Sequence, residues 1–360
     1  MSTDLTVISP LSWVQEAFKD YFDKAHMTDS SHLTGTYDYG FEPIRGIKDD
    51  AALWITADLL IANNAWRARK RLPTLLFEAP PADWLARLPR ELTRRSAITA
   101  PVSQIRAWTK LPEGLGERPW AQLSRGRVPE FRAARRKLDE LQRDLAQAPD
   151  DSLMSINTHL DGISEEWCVI VKHGKAVASS GYCVHRSQDE NSHDILTVFD
   201  GARFHDSYRG IAESLATRAA RTSHLDDASI IVGFRQSPET DDATEESEPS
   251  NADLQGPLAA KPAAQPLIIE ADPVWCTAPY PYQTAEEVDA FLKAISDCRL
   301  YRNDDGTFEK GTGKAWRRPI STLRIRGWFA MPHIAMTGFR KRFFKKRKTI
   351  TQTSTMFRNR

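Results

Sequence analysis

The stretch EEWCVIVKHGKAVASSGYCVH, from Glu165 to His185, narrows the folding choices of this chain more than any other. Two β-rich runs, Trp167 to Val171 and Ala176 to Val184, are separated by Lys172, His173, Gly174 and Lys175. Gly174 can take the positive φ that a tight turn asks for, so the pattern predicts a β-hairpin. Arg209 to Ser223 then places Ile211, Leu215, Ala219 and Ala220 at helical spacing, and SIIVGF, Ser229 to Phe234, reads as a short buried strand. A further strand is expected at Leu267 to Ile269, an aliphatic run bounded by Pro266 and Pro273. Between these two strands the composition changes abruptly. Glu239 to Asp253 holds seven acids and no base, and Gly256 to Pro266 is small residues and prolines. Such a segment cannot bury enough apolar surface to offset its ordering entropy, which predicts a disordered acidic insertion over residues 236–265 between adjacent strands.

The first hundred residues predict a small α/β domain, set at residues 1–97. Ser12 to Lys24 carries Trp13, Ala17, Phe18, Tyr21 and Phe22 on one helical stripe. Residues 30–45 show no sustained period and read as irregular or a pair of short strands. AALWITADLLIANNAWRARKR, from Ala51, reads as one helix with basic residues in its last turn, where they suit the helix dipole. Leu72 to Glu78 follows as a strand and Ala82 to Leu92 as a short helix. Gln104 to Trp108 is a helical turn or more, Pro112 to Pro119 a loop, and Pro129 to Gln147 a charged helix. Near the end of the body, Thr284 to Arg299 predicts a helix capped by Thr284 and Glu287, with Val288, Phe291, Leu292 and Ile295 inward. The packed body is expected to stop there, giving a second domain over residues 98–300 and a flexible tail over 301–360.

Net charge conceals an asymmetry. From Arg299 onward there are 17 Lys and Arg against 3 Asp and Glu, while the preceding residues carry 32 bases and 45 acids. The run RKRFFKKRK, Arg340 to Lys348, reads as a segment that meets nucleic acid, an anionic surface or an acidic partner, or as a solubilising extension. GTFEKGTGK, Gly306 to Lys314, lacks the GxxxxGK[ST] order of a phosphate loop. Neither a leader peptide nor a transmembrane run is expected, and Cys168, Cys183, Cys276 and Cys298 match neither a zinc pair nor a disulfide framework. Reduced thiols in the cytoplasm are the expectation.

Acidic chemistry concentrates at Glu270 and Asp272. With a strand period of two they share one face, where two carboxylates repel unless a cation sits between them. Oxygen ligands at this spacing suit Mg²⁺; a strand ending in solvent is the alternative. His185 and His193 flank Asp189 and Glu190 in what reads as a polar loop, which could hold a metal or nothing.

The order of hairpin, helix, buried strand SIIVGF and IIEADPVW resembles the ATP-grasp fold, and within it the clade named for two arginines and a lysine. TLLFEAPPADWLARLPREL followed by RRSAITAPVSQIRAW is similar to that family's entry into its nucleotide-binding lobe. The resemblance covers residues 72–300. It implies an α+β architecture with ATP held between two lobes, Mg²⁺ bridging its phosphates to acids on the last strands, and carboxylate–amine ligation through an acylphosphate. On that template Glu270 and Asp272 are metal ligands, Arg125 and Arg127 neutralise phosphates, and Glu165 or Glu166 lies at the adenine or ribose. Three departures from it stand out: Ile231 where an Asp is expected, Cys168 where an Arg is, and Arg125 and Arg127 where a lysine is. The readings that follow are an ATP- and Mg²⁺-dependent ligase of undetermined carboxylate and amine substrates, an ATP-grasp module that binds without turnover, and a nucleic-acid or anionic-surface binder working through the tail.

Overall fold

Helices and strands contribute comparably to the structure, a computed structural model that describes residues 5–9, 11–24, 52–124, 131–188, 192–236, 264–302 and 308–310. The chain begins with β1 (Leu5–Ile8), α1 (Ser12–Lys24), β2 (Ala52–Ile55), α2 (Ala57–Arg69) and β3 (Leu76–Phe77). Two short helices follow, α3 (Trp84–Arg87) and α4 (Arg90–Thr93), then β4 (Ala97–Pro101), α5 (Val102–Arg106), β5 (Trp120–Leu123), β6 (Ala134–Arg135), α6 (Leu138–Asp144) and β7 (Leu153–Asn157). The remainder is β8 (Ile163–Lys172), β9 (Lys175–Gln188), β10 (Ser192–Thr197), α7 (Asp206–Thr222), β11 (Ala228–Arg235), β12 (Gln265–Asp272), α8 (Ala285–Asp297), β13 (Arg299–Arg302) and β14 (Phe308–Lys310).

A five-stranded antiparallel sheet in the order β10-β9-β8-β11-β12 forms the centre. The expected hairpin is β8 and β9, and Gly174 takes φ of +67° at its turn. Strand β11 pairs with both β8 and β12, so the strands flanking the acidic segment are neighbours as expected. Residues Trp167 to Val171 are all buried because the sheet is covered on both sides. Trp167, Val169 and Val171 pack with Ile230, Val232, Phe234 and the alanine stripe of α7. Cys168, Ile170 and Ile231 face the other way, into a core with Phe18, Trp54, Trp275 and the inward face of α8. Thr284 caps α8 as read, its hydroxyl accepting from the Glu287 backbone N–H at 3.2 Å.

A second sheet, β4-β7-β5-β6, has its own core around Val102, Ile105, Leu141, Met154 and Ile156. A parallel pair, β1 and β2, and a three-stranded sheet in the order β14-β13-β3 complete the α+β architecture.

Several elements correct the sequence reading. The predicted helix from Ala51 opens as strand β2, because Ala52 to Ile55 pairs in parallel with β1 and is buried throughout. Only Leu76 and Phe77 of the strand expected over 72–78 are in a sheet. The helix predicted over 82–92 is two four-residue pieces, interrupted where Leu88, ahead of Pro89, is driven to an extended conformation. Within the helix predicted over 129–147, Ala134 and Arg135 instead pair with Trp120 and Ala121, and only Leu138–Asp144 is helical. The packed body also continues past α8: β13 returns to pair with β3, and Arg299 is buried with its guanidinium over the Phe77 ring. The expected polar loop after His185 is a strand pair, β9 with β10, in which His193 lies opposite Ser187. Residues 30–45, most of the acidic insertion, and the basic run from Arg340 to Lys348 lie outside the described residues. Among the described residues no helix is long and apolar enough to cross a membrane.

Close packing makes Gly181 a sensitive position. A Cβ there would lie 2.2 Å from Phe204, whose ring packs edge-on against Trp167 at 5.9 Å. Gly181→Ala is expected to cost about 1–3 kcal/mol of unfolding free energy, the penalty of overpacking a filled core. Urea denaturation of the variant beside the native protein measures it.

Candidate functional site

Neighbouring residues on a strand point to opposite faces, and this separates the two acids that open the hairpin. Glu165 is buried on the α7 side, where Trp167 Nε1 donates to it at 2.7 Å and the His205 backbone N–H at 3.1 Å, with His205 Nδ1 2.7 Å away. It ties β8 to the first turn of α7. Glu166 is buried on the other face, the one that carries Cys168, Ile231 and Glu270. Register explains the grouping: Ile231 lies opposite Cys168 on one side and Glu270 on the other, and Ser229 likewise lies between Ile170 and Asp272. Glu166, Glu270 and Asp272 are therefore brought to one face of the central sheet, and Glu165 is not. Arg125 and Arg127 lie outside the described residues.

Two irregularities shape this face. Pairing of β11 with β12 steps from Ile268 to Glu270, and the carbonyl of the skipped Ile269 accepts a hydrogen bond from Arg95 Nη2. Arg95 follows α4 and is itself buried. Burial lowers its pKa to about 10, and the Glu270 and Glu166 carboxylates pull in the opposite direction by favouring the charged form. The second irregularity lies between β8 and β9, whose pairing steps from Cys183 to Gly181 and skips Tyr182. The Tyr182 hydroxyl donates to Glu166 Oε2, and burial, with Glu166 next in importance, raises its pKa well above that of a free phenol. His185 Nε2 lies 2.7 Å from Glu166 Oε1.

The second sheet reaches the acids through Gln122 on β5. Its amide donates to Glu270 Oε2 at 3.1 Å while its carbonyl oxygen accepts from Trp120 Nε1 at 3.0 Å. The charges of Glu166 and Glu270 thus both act on the Arg95 guanidinium, while Asp272 lies two residues further along the same face, opposite Ser229. Such a face can hold a hard cation on Glu270 and Asp272, and its arginine can meet an anion that the cation carries. Ile231, buried between Cys168 and Glu270, supplies no ligand. A separate open groove of about 550 Å³ along α7, beside Glu213, Thr217 and Arg221, lies away from these groups.

The sequence reading named Glu166, Glu270 and Asp272, which lie on this face, and did not name Arg95, Gln122, Tyr182 or the orientation of His185. RRSAIT contains the arginine, yet nothing in its spacing distinguishes Arg95 from Arg94. Only long-range pairing does.

Similarity to known proteins is confined to structure. No family model matches the chain, and no curated protein matches it in sequence. D-alanine–D-alanine ligase from Bacillus anthracis is similar at 11% identity, covering 81% of this chain and 96% of that one with a TM-score of 0.43. D-cycloserine synthetase DcsG is similar at 10% identity over 81% and 98% of the two chains, with a TM-score of 0.44. The ATP-grasp ligase PsnB, complexed with its minimal precursor, is similar at 11% identity over 82% and 100%, with a TM-score of 0.37. Likeness at this level transfers no residue's role to this chain.

Two predictions follow from the geometry. Arg95→Met removes a charged hydrogen bond to the Ile269 carbonyl and the cation nearest Glu166 and Glu270; a loss of about 2 kcal/mol in urea denaturation is expected, with Arg95→Lys retaining part of it. Cys168 supplies the pH test. Burial raises its thiol from an ordinary 9.0 to about 12, with Asp272 adding to the rise and the Ser229 hydroxyl at 3.0 Å opposing it. Its contribution is complete below pH 9 and is lost as pH rises toward about 12, because the unfolded thiol ionises first. Cys168→Ala is expected to flatten the alkaline fall in stability by up to about 1.4 kcal/mol per pH unit, read from melting curves across that window.

Proposed function

We propose that this chain is a cytoplasmic ATP-dependent carboxylate–amine ligase that binds ATP with Mg²⁺ against the face carrying Glu166, Glu270 and Asp272. The observation that carries this reading is a sheet face that bears Glu166, Glu270 and Asp272, with buried Arg95 under the influence of the first two. Glu270 and Asp272, both half-buried, would hold Mg²⁺ through oxygen, leaving its other positions to water and phosphate. When bound, the ion neutralises phosphate charge and so eases attack at the terminal phosphorus. Arg95 would meet a phosphate through its planar fork, and Arg125 and Arg127 are the further candidates from sequence. Glu166 would accept a hydroxyl of the ribose. Gln122 would lie over the nucleotide, which requires its present bond to Glu270 to open when ATP enters.

In this reading a substrate carboxylate attacks the terminal phosphate, forming an acylphosphate and ADP. An amine then attacks the acyl carbon and releases phosphate. This chain's own residues supply position and charge, which is what such displacements chiefly need.

A second reading, binding without turnover, is favoured by Ile231. An apolar side chain beside Glu270 removes a ligand from any two-ion arrangement on this strand pair. Tail-directed binding of nucleic acid is supported by nothing in the described residues.

Thermal denaturation separates these. ATP with Mg²⁺ is expected to stabilise the protein by about 2.7 kcal/mol at a hundredfold excess over Kd, and Glu270→Gln to remove the Mg²⁺-dependent part. Phosphate release on adding carboxylates and amines supports the ligase; a shift without release supports the binding module. Absence of any nucleotide-dependent shift would falsify both.

A further inference from the structure

Among the described residues, Glu166, Cys183 and His185 are the one group of three metal-capable side chains whose ligand atoms converge, all lying within 4.8 Å of one another. The convergence is built by strand geometry. Cys183 is the direct cross-strand partner of Glu166, and His185, two residues further along β9, shares the face of Cys183. Two of the groups are buried and His185 is partly so, with its side chain 29% exposed, which leaves an approach from solvent.

Distances favour a tetrahedral ion. Cys183 Sγ and His185 Nε2 are 3.6 Å apart. That is close to the separation that zinc bonds of about 2.3 Å to sulfur and about 2.0 Å to nitrogen impose at a tetrahedral angle. His185 Nε2 and Glu166 Oε1, now 2.7 Å apart as a hydrogen-bonded pair, need to part by only several tenths of an ångström. Glu166 is already oriented by the Tyr182 hydroxyl on its other oxygen, the kind of outer support that ligating carboxylates use. A donor set of nitrogen, sulfur and oxygen is matched to Zn²⁺ and poorly matched to Mg²⁺, which takes oxygen.

We infer that Glu166, Cys183 and His185 form a Zn²⁺ site, separate from the proposed Mg²⁺ ligands Glu270 and Asp272, with a fourth position open to water or a substrate group. The thiol proton leaves to solvent when the sulfur binds, and His185 coordinates through Nε2 with its remaining proton on Nδ1. No electron transfer is involved. Zinc held here engages Glu166, so it competes with any contact of that carboxylate to a nucleotide. The site itself does not depend on nucleotide binding.

Titration of the full-length, chelator-stripped protein with Co²⁺ and then Zn²⁺, without nucleotide, tests the inference. One equivalent of Co²⁺ is expected to produce a thiolate charge-transfer absorption and visible ligand-field bands of tetrahedral intensity, both lost when Zn²⁺ displaces it. Cys183→Ser removes the charge-transfer band. His185→Gln weakens binding on the order of a hundredfold and Tyr182→Phe about tenfold, as for lost inner and outer support, while Cys276→Ser leaves the spectrum unchanged. Circular dichroism of the variants distinguishes lost ligation from lost folding, and His185→Gln, at a less buried position than Cys183, serves if Cys183→Ser does not fold. No stoichiometric uptake by the native protein, or a charge-transfer band that survives in Cys183→Ser but not in Cys276→Ser, overturns the assignment. Because no ATP is present, failure of the nucleotide reading leaves this result untouched, and the reverse also holds.

Discussion

Strand β11 sits between β8 and β12, and burial on both faces of that sheet fixes its register. A one-residue slip of β8 would exchange Trp167, Val169 and Val171 with Cys168 and Ile170, sending each set into the core built for the other. Glu165 would lose its bonds from His205, and Trp167 its edge contact with Phe204. Each large side chain forced into a core of the wrong shape costs about 1–3 kcal/mol, so several together rival the net stability of an ordinary domain. The same register that protects the core therefore holds Glu166, Ile231, Glu270 and Asp272 on one face. Site geometry is here a consequence of core packing.

What the sequence disclosed follows from that origin. The hairpin, α8 with its cap, and the pairing of the strands on either side of the acidic segment were legible because local chemistry and final structure agree there. Strand β2 was not. Its four residues are buried on both faces against β1 and α8, and a continuous apolar run has no period to tell strand from helix. Ala134 and Arg135 carry helix propensity, but pairing with β5 prevails over so weak a preference. Arg299, read as the last residue of a helix, is instead in β13 and is buried because that strand closes onto β3.

The site divides in the same way. Glu270 and Asp272 share a face by the period of two, which the sequence displays. Arg95 and Gln122 come from outside the central sheet and reach the acids only through tertiary structure. Both skipped positions, Ile269 and Tyr182, break the alternation that makes strands readable. Each break nonetheless has a local effect: one leaves a carbonyl for Arg95, and the other brings Tyr182 and Cys183 together on Glu166.

These breaks also couple the two halves of the face. Arg95 responds to Glu270 and to Glu166, and Tyr182 feels both carboxylates as well. A cation on Glu270 and Asp272 lowers the negative charge that helps hold Arg95 protonated in a buried position. A cation on Glu166 does the same from the other side, so each ion weakens the field that attracts the other. The donor atoms differ in kind, oxygen alone on β12 and mixed nitrogen, sulfur and oxygen across β8 and β9, so the two proposed sites would select different metals. Occupancy of either proposed site would then be felt at Arg95 and Tyr182, whose ionisation responds to both Glu166 and Glu270.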